Sequence, residues 1–140
     1  MRRVILIIAA VLLFAGAAAA QKVTNASYST IAYIKSDGKV QNSSYSTIAY
    51  IKSDGTVQDK NYRTIFKIDN SGKVQDANYR VVGYIKSDGT VQDGHYRTLG
   101  RVKSDGTVVN ANYATIGHAP SIPARKAALY FFFIRKKVGN

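Results

Sequence analysis

The stretch Tyr45-Ser46-Thr47-Ile48-Ala49-Tyr50-Ile51-Lys52-Ser53-Asp54-Gly55-Thr56-Val57-Gln58-Asp59-Lys60-Asn61 decides the fold, because the chain repeats it every 17 residues without insertion or deletion. Complete copies occupy residues 28–44, 45–61, 62–78, 79–95 and 96–112, and a partial copy covers 113–118. Self-similarity at a fixed short period marks a repeat architecture, in which one unit cannot bury its apolar face alone and its neighbours complete the core. Aliphatic residues hold the fourth position (Ile31, Ile48, Ile65, Val82, Leu99), the seventh (Ile34, Ile51, Ile68, Ile85, Val102) and the thirteenth (Val40, Val57, Val74, Val91, Val108). These three positions are expected to form the core. Between the seventh and thirteenth lies Ser-Asp-Gly, as at Ser36-Asp37-Gly38, with Asn70-Ser71-Gly72 as the variant. Asp-Gly flanked by β-branched residues is a strong hairpin signal, since glycine accepts the positive φ of a tight turn. Each unit therefore reads as a strand, a tight turn and a shorter strand. A second turn follows at Gln-Asp-x-Asn, where Asp and Asn side chains bond their own backbone.

Side chains alternate along a strand, so the fourth and seventh positions should face opposite ways, yet both are aliphatic. Either a bulge sits at the small fifth position (Ala32, Ala49, Gly83, Gly100), against which Phe66 speaks, or each hairpin is packed between two others and is apolar on both faces. Hairpins standing like petals about an axis satisfy the second option. An open β-solenoid is the alternative, but it needs atypical capping units, and the first and last copies here are ordinary. Closure into a small, propeller-like ring is therefore the expected fold. It also removes the exposed sheet edges that invite aggregation.

Residues 1–20 begin with Arg2 and Arg3, continue in an apolar run from Val4 to Phe14 and end in small residues at Ala17–Ala20. That pattern is expected to be a secretory signal peptide cleaved before Gln21, which makes the mature product a soluble periplasmic or extracellular protein. The chain has no cysteine, so packing alone must hold it. The repeat domain then spans 21–118, and a C-terminal segment, 119–140, follows Pro120 and Pro123. Its apolar run, Ala127 to Ile134, is too short to span a bilayer and is expected to pack on or into the repeats. Pro123 followed by Ala124–Ala128 favours a helix. Three phenylalanines ending in Arg135-Lys136-Lys137 could alternatively sit at a membrane interface.

Tandem Ile-Lys-Ser-Asp-Gly-Thr-Val-Gln-Asp units, the Arg-Thr-Ile and Arg-Thr-Leu-Gly segments at 63–65 and 97–100, the signal peptide ending Ala-Gln and the Ala-Ala-Leu-Tyr-Phe-Phe-Phe tail together resemble the five-fold β-flower family. The resemblance covers nearly all of the mature chain. It implies five β-hairpin petals about a pseudo-five-fold axis, and it implies no activity and no binding residue.

Formal net charge is +12, and +10 once Arg2 and Arg3 are removed. Such a balance suits polyanions, of which acidic glycans and anionic envelope surfaces fit an exported protein and nucleic acid does not. Ordinary hydrolytic chemistry needs a base, a nucleophile or paired carboxylates. Here Cys and Glu are absent, the histidines are His95 and His118, and seven of the eight aspartates lie in the two repeated turns, which explain them without catalysis, a metal or any cofactor. The expected product is non-enzymatic. Arg63, Arg80 and Arg97 recur directly after the first tyrosine, and Tyr33, Tyr50 and Tyr84 hold a position taken elsewhere by Lys67 and Arg101. Rings beside cations suit sugar faces and acidic groups, so these six residues are the candidate ligand-binding set. The reading is a binding module for a glycan, an anionic surface or a protein partner, with a purely structural role in the envelope as the alternative.

Overall fold

A computed structural model describes residues 21–139, so the expected signal peptide at 1–20 lies outside the described residues. Each repeat contributes two strands of four or five residues, as in β2 (Thr30–Ile34), β3 (Lys39–Asn42) and β4 (Thr47–Ile51). One turn design closes both ends. At one rim Lys35 N–H donates to Lys39 O and Gly38 N–H to Lys35 O; at the other Asn42 N–H donates to Ser46 O and Tyr45 N–H to Asn42 O. Both turns end in a left-handed residue, Gly38 at φ 95° and Tyr45 at φ 67°. Glycine is required at the first rim because Ile51 N–H donates to Gly38 O, and a Cβ on Gly38 would strike the Ile51 carbonyl. The second rim is open, and tyrosine stands there.

The strands close into one antiparallel barrel of twelve, each bonded to its neighbours in sequence. Closure comes from the chain ends: β1 (Gln21–Asn25) pairs with β12 (Thr115–His118), in the register Thr24↔His118 and Asn25↔Gly117. Five contiguous copies supply ten strands, and β1 and β12 supply the remaining two. The ring therefore holds six strand pairs and not the five expected. A barrel also replaces the expected petals, because each stave buries only its inner face. The open solenoid is not supported.

A bulge does interrupt each long strand, one position earlier than expected. Val40 pairs with Ala49 but Gln41 pairs with Thr47, which leaves Ile48 as the extra residue, and the same shift leaves out Ile31 and Ile65. The inward positions are thus the fifth, seventh and thirteenth, for instance Ala49, Ile51 and Val57, all buried. The fourth, expected in the core, packs against its edge half-buried, with Ile65 the buried exception.

The interior is filled by the C-terminal segment. A helix, α1 (Ala124–Leu129), runs into a π-helical turn (Tyr130–Ile134) and a last helical turn, α2 (Arg135–Val138). Every residue from Ala127 to Ile134 is buried, as an all-apolar helix must be. Phe131, Phe132 and Phe133 lie against Gly117, Gly100 and Gly83, on the first strands of three successive units; a Cβ on Gly100 or Gly83 would fall 2.6 Å from the facing ring. Phe66 occupies the same repeat position in the neighbouring unit and meets Phe133 edge-on at 6.0 Å. The plug is gripped at the glycine rim, where Arg125 donates to Asp69 O at 3.2 Å and Asn70 O at 3.4 Å. That turn is the Asn-Ser-Gly variant, with Asp69 where the other turns have lysine, so no cation opposes Arg125.

Candidate functional site

All six first-position tyrosines, Tyr28, Tyr45, Tyr62, Tyr79, Tyr96 and Tyr113, have φ between 65° and 67°, a region tyrosine avoids. They are also the large hydrophobic side chains left in solvent, 63% to 81% exposed. The turn preceding each is locked by an Asp or Asn at the fifteenth position. Asp59 Oδ1 accepts from the amides of Asn61 and Arg63 at 2.9 and 3.0 Å, and Asn42 Oδ1 accepts likewise from Ser44 and Ser46. The Arg63 amide holds the Asp59 carboxyl below its ordinary range, and the amides of Arg80 and Arg97 do the same for Asp76 and Asp93.

Three of these tyrosines stack on the sixth-position tyrosine of the preceding unit. Tyr33 lies on Tyr45, Tyr50 on Tyr62 and Tyr84 on Tyr96, with centroids 4.8 to 4.9 Å apart and hydroxyls 3.1 Å apart. The shared hydroxyl bond raises the pKa of Tyr33, Tyr50 and Tyr84 above the usual phenol value. At the seam Tyr28 stacks on His118 at 4.1 Å. The His118 Nε2 and the Thr24 Oγ1 are both buried without a hydrogen-bond partner. At the two remaining places the sixth position holds Lys67 and Arg101, and among the described residues no ring stacks on Tyr79 or Tyr113.

Lysine and tyrosine trade places systematically on this outer wall. Tyr33, Tyr50 and Tyr84 pair across strands with Lys22, Lys39 and Lys73, whereas Lys67, Arg101 and His118 pair with Thr56, Thr90 and Thr107. Each rung carries one basic side chain opposite an uncharged one, which avoids direct repulsion of like charges across the ladder. The result is a basic belt around the barrel.

The six sequence candidates fall in two zones. Tyr33, Tyr50 and Tyr84 are half-buried on the wall, each covered on one face by its partner ring, so they are less available than expected. Arg63, Arg80 and Arg97 stand exposed at the tyrosine rim; Arg63 and Arg97 pair with Asp59 and Asp93 at 3.3 and 3.0 Å. Arg63 also lines a concavity of about 690 Å³ at the barrel mouth, together with Ile48, Asp59 and Lys137. His95 is a turn residue whose amide bonds Asp93. Sequence reasoning did not single out the first-position tyrosines. Their presence in every copy beside a turn that favours Gly or Asn was the available signal, and so was the exchange of Lys and Tyr between the sixth and twelfth positions.

Among the described residues, no group of three or more His, Asp, Glu or Cys is placed to hold a metal ion, and no helix is long and apolar enough to cross a membrane. The barrel strands, at four or five residues, are about half the 9–11 that a bilayer crossing needs. A family model described as 5-fold beta-flower protein matches residues 20–135. The chain belongs to that family. No curated protein and no solved structure matches it.

Proposed function

We propose that this protein is a non-enzymatic binding module, exported to the periplasm or cell exterior, that holds a glycan or another anionic envelope component on its outer wall. One observation carries the reading: six exposed tyrosines are kept in a left-handed conformation that costs an ordinary residue about 1–2 kcal/mol, where glycine or asparagine would be relaxed. Strain of that kind persists where something beyond folding selects for it. Stacking alone does not account for it, because Tyr79 and Tyr113 keep the conformation without a stacked partner. The five contiguous copies and the split sixth repeat the tyrosine around the ring, so weak contacts gain avidity. The basic belt and the arginines at the rim supply the charge for an acidic partner.

The test is binding of residues 21–140 to a glycan array and to anionic vesicles, first at low salt and then at physiological salt. Binding is expected at low salt, weakening as ions screen exposed charges over about 8 Å, and falling when Arg63, Arg80 and Arg97 are all changed to alanine. Absence of any ligand at low salt, or binding indifferent to salt and to the triple change, would overturn the reading in favour of a purely structural role in the envelope.

A further inference from the structure

We infer that Tyr113 with Arg101, and Tyr79 with Lys67, are two subsites for the uronic-acid residues of an acidic polysaccharide, a proposal that rests on the binding role above. They are the places where the repeat breaks its own symmetry. In three other units a sixth-position tyrosine covers the ring of the next turn. Here a cation replaces that cover, and Tyr79 and Tyr113 are the most exposed of the six, at 77% and 81%.

An open aromatic face beside a cation is the pair of features that a sugar carboxylate needs. The apolar C–H face of the pyranose lies on the ring, and the carboxylate meets the guanidinium or ammonium. Arg101 and Tyr113 line one concavity of about 240 Å³ together with Thr98, whose hydroxyl can meet a sugar hydroxyl. At the second place Arg80 follows Tyr79 directly, with its charge acting on the Asp76 carboxylate, and Lys67 holds the repeat position that Arg101 holds at the first. Neutral glycans would use the ring alone, and phosphate or lipid head groups the cation alone. A uronate uses both.

The two subsites are equivalent points two units apart. Four strands at about 4.8 Å each separate them by roughly 19 Å along the wall, with the Tyr84 and Tyr96 stack between. A chain of several uronates reaches both subsites and a dimer reaches one, so affinity should rise with oligomer length.

The experiment titrates residues 21–140 with galacturonate hexamer and dimer, with maltohexaose as the neutral arm and phosphatidylglycerol vesicles as the lipid arm. The hexamer should bind at least tenfold more tightly than the dimer and than maltohexaose. The double variant Lys67→Tyr with Arg101→Tyr, which gives these units the stack of their neighbours and so keeps the fold, should lose at least tenfold in hexamer affinity. A second double variant, Tyr79→Gly with Tyr113→Gly, keeps the cations, relaxes both turns and should lose a similar factor. Hexamer binding unchanged in either folded variant overturns the subsites. Vesicle or maltohexaose binding without hexamer binding overturns them while leaving the broader binding role standing, and failure of every probe removes both.

Discussion

The same left-handed backbone position is glycine at one rim and tyrosine at the other, and the two choices have different causes. Gly38 and its equivalents answer to the neighbouring stave, whose carbonyl leaves no room for a side chain. Tyrosine at the open rim is strained by about 1–2 kcal/mol, and glycine there would give back about 0.5–1 kcal/mol through its freer unfolded chain. Tyr79→Gly should therefore stabilise the protein by about 0.5–1 kcal/mol in urea denaturation. Tyr62→Gly also loses a stack worth about 0.5–1.5 kcal/mol and should be neutral or destabilising; equal effects at the two positions would contradict this assignment. The carboxylates beside these turns make a second residue-level prediction. Asp59, Asp76 and Asp93 are held below the ordinary carboxyl range, chiefly by backbone amides. Their stabilisation is full above the unfolded value of about 3.9 and is lost as pH falls through the lower folded value. Melting temperature should hold from pH 7 to 5 and drop below about pH 4. Changing all three to asparagine, which Asn25, Asn42 and Asn110 show to be compatible with the turn, should reduce that drop, with the remainder left to Asp54, Asp69, Asp88 and Asp105, whose carboxyls are also held low by backbone and side-chain hydrogen bonds.

Among the elements the plug matters most. Leu129, Tyr130, Phe131, Phe132, Phe133 and Ile134 are all buried inside the barrel, and burial pushes the Tyr130 phenol up to about 12. At about 1.5–3 kcal/mol for each such side chain, their loss is as large as the roughly 5–15 kcal/mol by which domains are stable. Truncation after His118 should abolish cooperative unfolding, and a truncated chain that still melts sharply would show that the staves stand alone. Gly100→Ala, which pushes a methyl group into the Phe132 ring, should cost about 1–3 kcal/mol. The strands and both turns were legible in the sequence because Asp-Gly and the aliphatic thirteenth position are local signals. The bulge was legible only as a conflict between the fourth and seventh positions, since its placement depends on cross-strand register. That the phenylalanines would find glycines at 83, 100 and 117 was not legible, because the two sets meet only after the barrel has closed. The tyrosine pairs were hidden for a related reason: their rings are 12 residues apart and meet only across two adjacent staves.

At the scale of the whole molecule, closure is what turns a repeat into a fixed display. The expected five-fold count went astray at the chain ends, where Lys22-Val23-Thr24-Asn25 matches the second strand of a unit and Tyr113–His118 the first, so one hairpin is divided between the termini. Val23 is fully buried, as is every thirteenth-position valine. Deleting one unit, Tyr62–Asn78, leaves ten strands around a plug shaped for twelve and should prevent folding, whereas an open stack would only shorten. The most direct test of the closed ring uses the absence of native cysteine. Thr24 and His118 are cross-strand partners at the seam, and directly paired residues lie within the Cα separation of about 4.4–6.8 Å that a disulfide spans. The double variant Thr24→Cys with His118→Cys, oxidised at low concentration, should form an intramolecular disulfide in a folded monomer with a raised melting temperature. Free thiols or disulfide-linked dimers from the folded protein would mean that the two ends of the chain do not meet.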